Sequence, residues 1–92
     1  MKHIVFSIHD IKAEAYLPPF VCPTEGIATR TFADCVADPT HQFSKNPDDY
    51  TLFKLGTFDD ETGLFSQVTP ETLGNGLQHS PKMQQLREAH NG

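Results

Sequence analysis

The chain has no tryptophan, only two cysteines, only seven lysines and arginines, and no long apolar run. Each scarcity removes a class of function. A bilayer-spanning helix needs about 20 consecutive apolar residues, and nothing here approaches that. The apolar start Ile4-Val5-Phe6 is broken by His9, Asp10 and Lys12, so it is not a signal peptide. The chain reads as cytoplasmic, with no membrane role. Twelve acids against seven Lys and Arg leave a net charge of −5. Nucleic-acid binders draw most of their affinity from phosphate neutralisation by a basic face. Lys2, Lys12, Arg30, Lys45, Lys54, Lys82 and Arg87 are instead scattered along the chain. Direct nucleic-acid contact is disfavoured, although folding could gather a few of them.

The two cysteines make neither a bridge nor a metal site. Cys22 precedes an expected helix and Cys35 lies near its far end. Ten helical residues at about 1.5 Å each separate them by about 15 Å, while a disulfide needs Cα atoms within about 7 Å. Close-spaced ligand pairs such as C-x₂₋₄-C are missing. His3 and His9 share a strand face but stand about 20 Å apart at roughly 3.3 Å per residue. No metal and no cofactor is expected. Cys35 falls on an apolar helix stripe, where a thiol is inert. Cys22 could be exposed, but no nucleophile motif accompanies it. Asp48-Asp49 and Asp59-Asp60-Glu61 sit in turns, where Asp serves the backbone, and the second cluster lacks the spacing of a calcium loop. No catalytic residue is assigned, and an enzyme is not expected.

What is present is a small core in one domain. Apolar content is 37 %, with seven Phe, seven Pro and six Gly in 92 residues. A chain of this size is near the lower limit for a self-sufficient core, and oligomerisation would widen its margin. His3 to His9 alternates, with Ile4, Phe6 and Ile8 on one face, and predicts a half-buried strand. Ala13 to Pro23 carries three prolines and reads as an extended connector or an edge. Thr24 is a candidate N-cap, followed by Glu25 in the first turn. Ile27, Ala28, Thr31, Phe32, Cys35 and Val36 form one helical stripe, and Asp38-Pro39 ends it.

His41 to Gly63 sets a turn, a strand and a hairpin side by side. Asn46-Pro47-Asp48-Asp49 is turn chemistry, Tyr50 to Phe58 suits a strand, and Asp59 to Gly63 reverses it through a glycine. Gly56 marks a bulge, because Phe53 and Leu55 share a face and Phe58 falls out of that alternation. A shorter strand is expected from Leu64 to Val68. The predicted fold is α+β, in the order β-α-β-β: a three-stranded sheet covered on one face by one helix, half of a ferredoxin-like fold. The domain is expected over residues 1–69, with a polar tail over 70–92 that is mobile or opens a short helix at Ser80-Pro81. The helix should cover Ile4, Phe6, Ile8, Ile27, Phe32, Val36, Phe53 and Leu55. The other face would carry His3, Val5, Leu52 and Tyr50, too apolar to stay wet without a dimer, the tail or a ligand.

Lys12–Phe20 (K-A-E-A-Y-L-P-P-F), Cys22-Pro23-Thr24, and above all N-P-D-D-Y-T-L-F-K-L-G-T-F-D over Asn46–Asp59 resemble one family. It is the small non-structural protein of gokushovirus-type microviruses, phages with single-stranded DNA genomes. The resemblance covers residues 1–68. It implies a host-cytoplasmic protein acting when viral replication switches from duplex copies to single strands, and it brings no catalytic residues. Two functions follow as expectations. One is a non-enzymatic module, a homodimer, that regulates viral DNA synthesis through contacts with host or phage replication proteins. The other is a weak single-stranded DNA binder using an open sheet face built on Tyr50, Lys54, Lys2 and Leu52.

Overall fold

The computed structural model describes residues 1–80. Its elements are β1 (Lys2–Asp10), β2 (Ala15–Tyr16), β3 (Phe20–Cys22), α1 (Glu25–Ala37), α2 (Gln42–Lys45), β4 (Tyr50–Asp59) and β5 (Phe65–Asn75). A 3₁₀ turn, Pro47–Asp49, leads into β4 with proline opening it. The architecture is α+β, and every strand pairing is antiparallel. Among the described residues the sheet has five strands instead of three, in the order β2-β1-β4-β5, with β3 also pairing to β1.

The extra strands come from the proline-rich segment. Between Pro19 and Pro23, Phe20 to Cys22 keep their N–H groups, and they pair with Phe6 to Ile4. Prolines are tolerated there because β2 and β3 sit at the edge. Ser7 fastens the segment: its hydroxyl donates to the carbonyl of Leu17 at 2.5 Å. This changes the topology around the helix. β3 and β4 are each antiparallel to β1, so α1 joins two mutually parallel strands that flank β1. The half-ferredoxin arrangement, with the helix joining β1 to its neighbour, is replaced.

The helix follows its sequence signals. The Thr24 hydroxyl oxygen accepts the N–H of Ile27 at 3.2 Å, and Asp38 closes the helix through its own N–H. Ala28, Phe32 and Val36 are buried against Phe6, Ile8, Phe43, Tyr50 and Leu52. Ile27 lies at the margin of the stripe and is 48 % exposed, contrary to the expected core. The His41–Pro47 loop contains α2, whose N-cap is the His41 ring: Nδ1 accepts the N–H of Phe43 at 3.1 Å. That cap turns Phe43 inward, 4.4 Å from the Tyr50 ring and 5.7 Å from Phe32.

β5 runs past the expected end at Val68 to Asn75. Pro70 is accommodated because residues 68–70 bulge out between the paired positions Gln67 and Glu71, where no ladder N–H is needed. The chain then docks beside the 3₁₀ turn. The Asn75 amide donates to Asp48 O at 2.8 Å, Gly76 N–H donates to Tyr50 O at 2.8 Å, and His79 meets Phe32 edge-on. The expected short helix from Ser80-Pro81 lies outside the described residues.

Candidate functional site

The pairing register decides which side chains share a face. Opposite residues in an antiparallel pair point the same way. Ile8 pairs with Leu52, Phe6 with Lys54, Asp10 with Tyr50 and Lys2 with Asp59. Phe6 and Ile8 lie in the helix-covered core, so Tyr50, Leu52, Lys54 and Lys2 belong to the covered side. Leu52 is fully buried and Tyr50 is 8 % exposed. The Lys54 ammonium lies 3.4 Å from the Glu25 carboxylate at the start of α1. Lys2 is exposed at the end of β1. The open face expected on these four residues is therefore not formed by them. The parity of β4 is the reverse of that inferred from Phe53 and Leu55, whose apolar character pointed to the core.

Phe53 and Leu55 instead stand on the opposite face, which no helix among the described residues covers and which is called the uncovered face below. Val5 pairs with Gly56 and Phe6 with Lys54, so Leu55 is the extra residue of a bulge. The bulge shifts the alternation, and Phe58, paired with His3, joins the same face. Gly56 is needed at this point: a Cβ there would overlap the Ser66 carbonyl oxygen and sit 3.1 Å from Gln67 Cα. Beside this close approach lies a dimple of about 240 Å³ among Val5, Leu55, Phe65 and Gln67.

Two ring clusters flank that dimple. Tyr16 lies 4.8 Å from His9 and 5.6 Å from Phe53, both edge-on. Phe58 and Phe65 are 4.8 Å apart. Phe65 is 69 % exposed, Val21 46 % and Tyr16 44 %. The paired positions of this face are His3, Val5, Ser7, His9, Tyr16, Val21, Thr51, Phe53, Gly56, Phe58, Phe65, Gln67, Thr72 and Asn75. None is Asp, Glu, Lys or Arg. Every such charge at a paired position falls on the covered side: Lys2, Asp10, Lys54, Asp59 and Glu71. In a chain of net charge −5, the paired positions of the uncovered face include aromatics and no permanent charge.

One charged clasp sits at its end. The Met1 amino group lies 2.7 Å from Asp60 Oδ1, and His3 Nε2 lies 2.8 Å from Asp60 Oδ2. The hydrogen bond to the amine, then that to His3, hold the Asp60 carboxyl below the usual carboxylate range. The same bond raises the Met1 amine. A lowered carboxyl contributes stability above its unfolded value and loses it as pH falls; a raised amine contributes below its unfolded value and loses it as pH rises. The clasp is thus fully formed between about pH 4 and about pH 8. Asp60→Asn is expected to flatten both limbs of the urea-midpoint profile measured at acidic, neutral and alkaline pH. A profile as steep as that of the unaltered protein would discard the clasp.

Other chemistry is sparse. Among the described residues no group of three or more His, Cys, Asp and Glu is placed to hold a metal ion. Cys22 and Cys35 are both free and half-buried. Burial first, then Asp34 and Asp38, pushes the Cys35 thiol up, which leaves it a poor nucleophile. Among the described residues no helix is long and apolar enough to cross a membrane.

The family model for the phage ORF5 protein matches residues 3–79, from β1 through the docked turn after β5. This chain belongs to the phage ORF5 protein family. No curated protein and no solved structure matches it. The family assignment makes the chain a phage protein, and the matched span includes both ring clusters and the Gly56 bulge.

Proposed function

We propose that this member of the phage ORF5 family is a non-enzymatic protein of the host cytoplasm. Its role is to regulate viral DNA synthesis, at the switch from duplex copies to single strands, through contacts made by the uncovered sheet face. The resemblance to gokushovirus-type non-structural proteins motivates the process. The observation that carries the mode of action is the face itself: four rings and a dimple with no permanent charge at any paired position. Protein interface centres are enriched in aromatics and depleted of charge in this way, and Tyr16, Val21 and Phe65 are exposed on this face.

The test is a phage genome carrying Phe53→Asp. Single-stranded viral DNA, measured relative to duplex viral DNA in infected cells, is expected to fall several-fold. Ile27→Asp on the helix should leave that ratio unchanged. An unaltered ratio with Phe53→Asp would count against the face as the working surface.

A second reading has its own support, because exposed Tyr16 and Phe65, with half-buried Phe53 and Phe58 beside them, could stack unpaired bases. It lacks the cations that track a phosphate backbone. Fluorescence anisotropy of a labelled oligonucleotide at low and high salt separates the two readings: salt-sensitive binding at micromolar protein favours DNA.

A further inference from the structure

The proposed function makes the uncovered face the working surface, and its physical character narrows what can occupy it. A single-stranded nucleic acid would bring phosphates to a face with no lysine or arginine at its paired positions. A strongly charged protein would have to desolvate its own charges without gaining partners. A surface equally free of charge and equally aromatic has neither cost, and the chain itself carries one. We propose that the occupant is a second copy of this chain, packed sheet to sheet about a two-fold axis.

Three further observations support a self-contact. First, knob and hole lie side by side. Phe65 is exposed next to the Gly56 dimple of about 240 Å³, and a cavity of about 150 Å³ suffices to hold benzene in an engineered protein. A two-fold axis between them lets each Phe65 ring enter the dimple of the other copy, which is the self-complementarity that an isologous dimer requires. Second, the area is adequate. Nine residues of β1 at about 3.3 Å and four strands at about 4.8 Å give a face of roughly 30 by 19 Å. Two such faces bury on the order of 1,200 Å², the lower end for a specific stable interface.

Third, the charges of the two copies are kept apart. Asp10, Asp59 and Glu71 all project from the covered side, so these charges of the two copies do not meet across the contact. The edge of β5 is a poorer alternative route to a dimer. Pro70 and the bulge over residues 68–70 interrupt its free hydrogen-bonding groups, a common way of blocking edge pairing.

Sedimentation equilibrium on the full chain, from about 1 to about 200 µM, tests this directly because dimer formation follows mass action. The expected mass at the upper end is twice the 10.3 kDa of one chain. Phe65→Asp and Phe53→Asp are each expected to raise the dimer Kd by at least about 30-fold, the loss typical of a central interface anchor. Their far-UV circular dichroism should match the unaltered protein. Ile27→Asp, on the helix side, should leave the Kd unchanged. Added salt should tighten the dimer or leave it unchanged, since it screens repulsion between like-charged copies.

A 10.3 kDa mass at every concentration overturns the proposal, as does a dimer indifferent to both phenylalanine substitutions. A monomer that binds an oligonucleotide through the same rings overturns it in favour of DNA. A monomer whose Phe53→Asp variant still lowers the single-strand ratio in infected cells would reject the second copy as occupant while leaving the face as the working surface.

Discussion

Replacing Leu52 by alanine is expected to lower the unfolding free energy by about 3 kcal/mol, within the range for deleting a fully buried leucine. Leu55→Ala should cost well under half of that. Leu52 has no solvent exposure and stands among Phe6, Ile8 and Phe32. Its truncation leaves a void that the rigid sheet and helix cannot collapse around. Leu55 occupies the bulge on the other side of the sheet, half-buried, and lines the dimple. Urea denaturation monitored by circular dichroism measures both, at a concentration low enough that association through the uncovered face does not contribute. Equal costs, or a larger cost at Leu55, would mean that β4 is turned the other way.

Gly56→Val is the second large effect. The β4 and β5 backbones approach so closely at Gly56 that a Cβ would overlap the Ser66 carbonyl oxygen and press on Gln67 Cα. The obstacle is backbone, so relief requires the hairpin to part between Phe58–Phe65 and Lys54–Glu71. We expect a loss of more than about 3 kcal/mol, the tail of the single-substitution distribution reserved for mechanisms of this kind. Gly63→Ala should cost much less. Gly63 has φ of +76° but open space around it, so its penalty is that of one left-handed residue, about 1 kcal/mol. Chemical denaturation of the two variants in parallel checks the ordering, and a Gly56→Val protein as stable as Gly63→Ala would refute the close approach.

The two glycines also show what could be read from the sequence. The Asp59–Gly63 reversal is governed by local chemistry, and Gly63 adopts the positive φ expected of it. The helix is similar: Thr24, Glu25 and Asp38 act within one turn of their own positions. The bulge at Leu55–Gly56 was also visible, because Phe58 breaks a local alternation. Which face of β4 meets the helix is not local. Both faces are apolar, with Tyr50 and Leu52 on one and Phe53 and Leu55 on the other. Only the pairing of Ile8 with Leu52 settles it. That is why the sequence alone points to Tyr50, Lys54, Lys2 and Leu52 for an open face that the structure builds from Tyr16, Phe53, Phe58 and Phe65.

The same reasoning accounts for the missed strands. Ala15–Tyr16 and Phe20–Cys22 are too short and too rich in flanking proline to signal a strand alone. They exist because β1 offers them an edge, and β3 brings Val21 to the uncovered face while leaving Phe20 stacked on Phe6 at 5.7 Å. Phe43 gave the only apolar signal in its loop, and the His41 cap that buries it could be recognised only with the backbone in view. The segregation of charge was present in the sequence as a pattern, but it becomes evident only when the register aligns five strands.

The absence of tryptophan provides a direct probe of the central claim, that the uncovered face is where this protein makes its contacts. Tyr16 and Tyr50 are the two tyrosines; Tyr50 is buried in the core and Tyr16 is 44 % exposed on the uncovered face. In a Tyr50→Phe chain, which keeps the ring against Phe43, Tyr16 is the sole emitter. Acrylamide quenching of that emission should be efficient in dilute protein and should weaken as concentration rises through the range in which the mass doubles. Quenching that stays the same at every concentration, while the mass doubles, would place the contact elsewhere on the molecule and contradict the account.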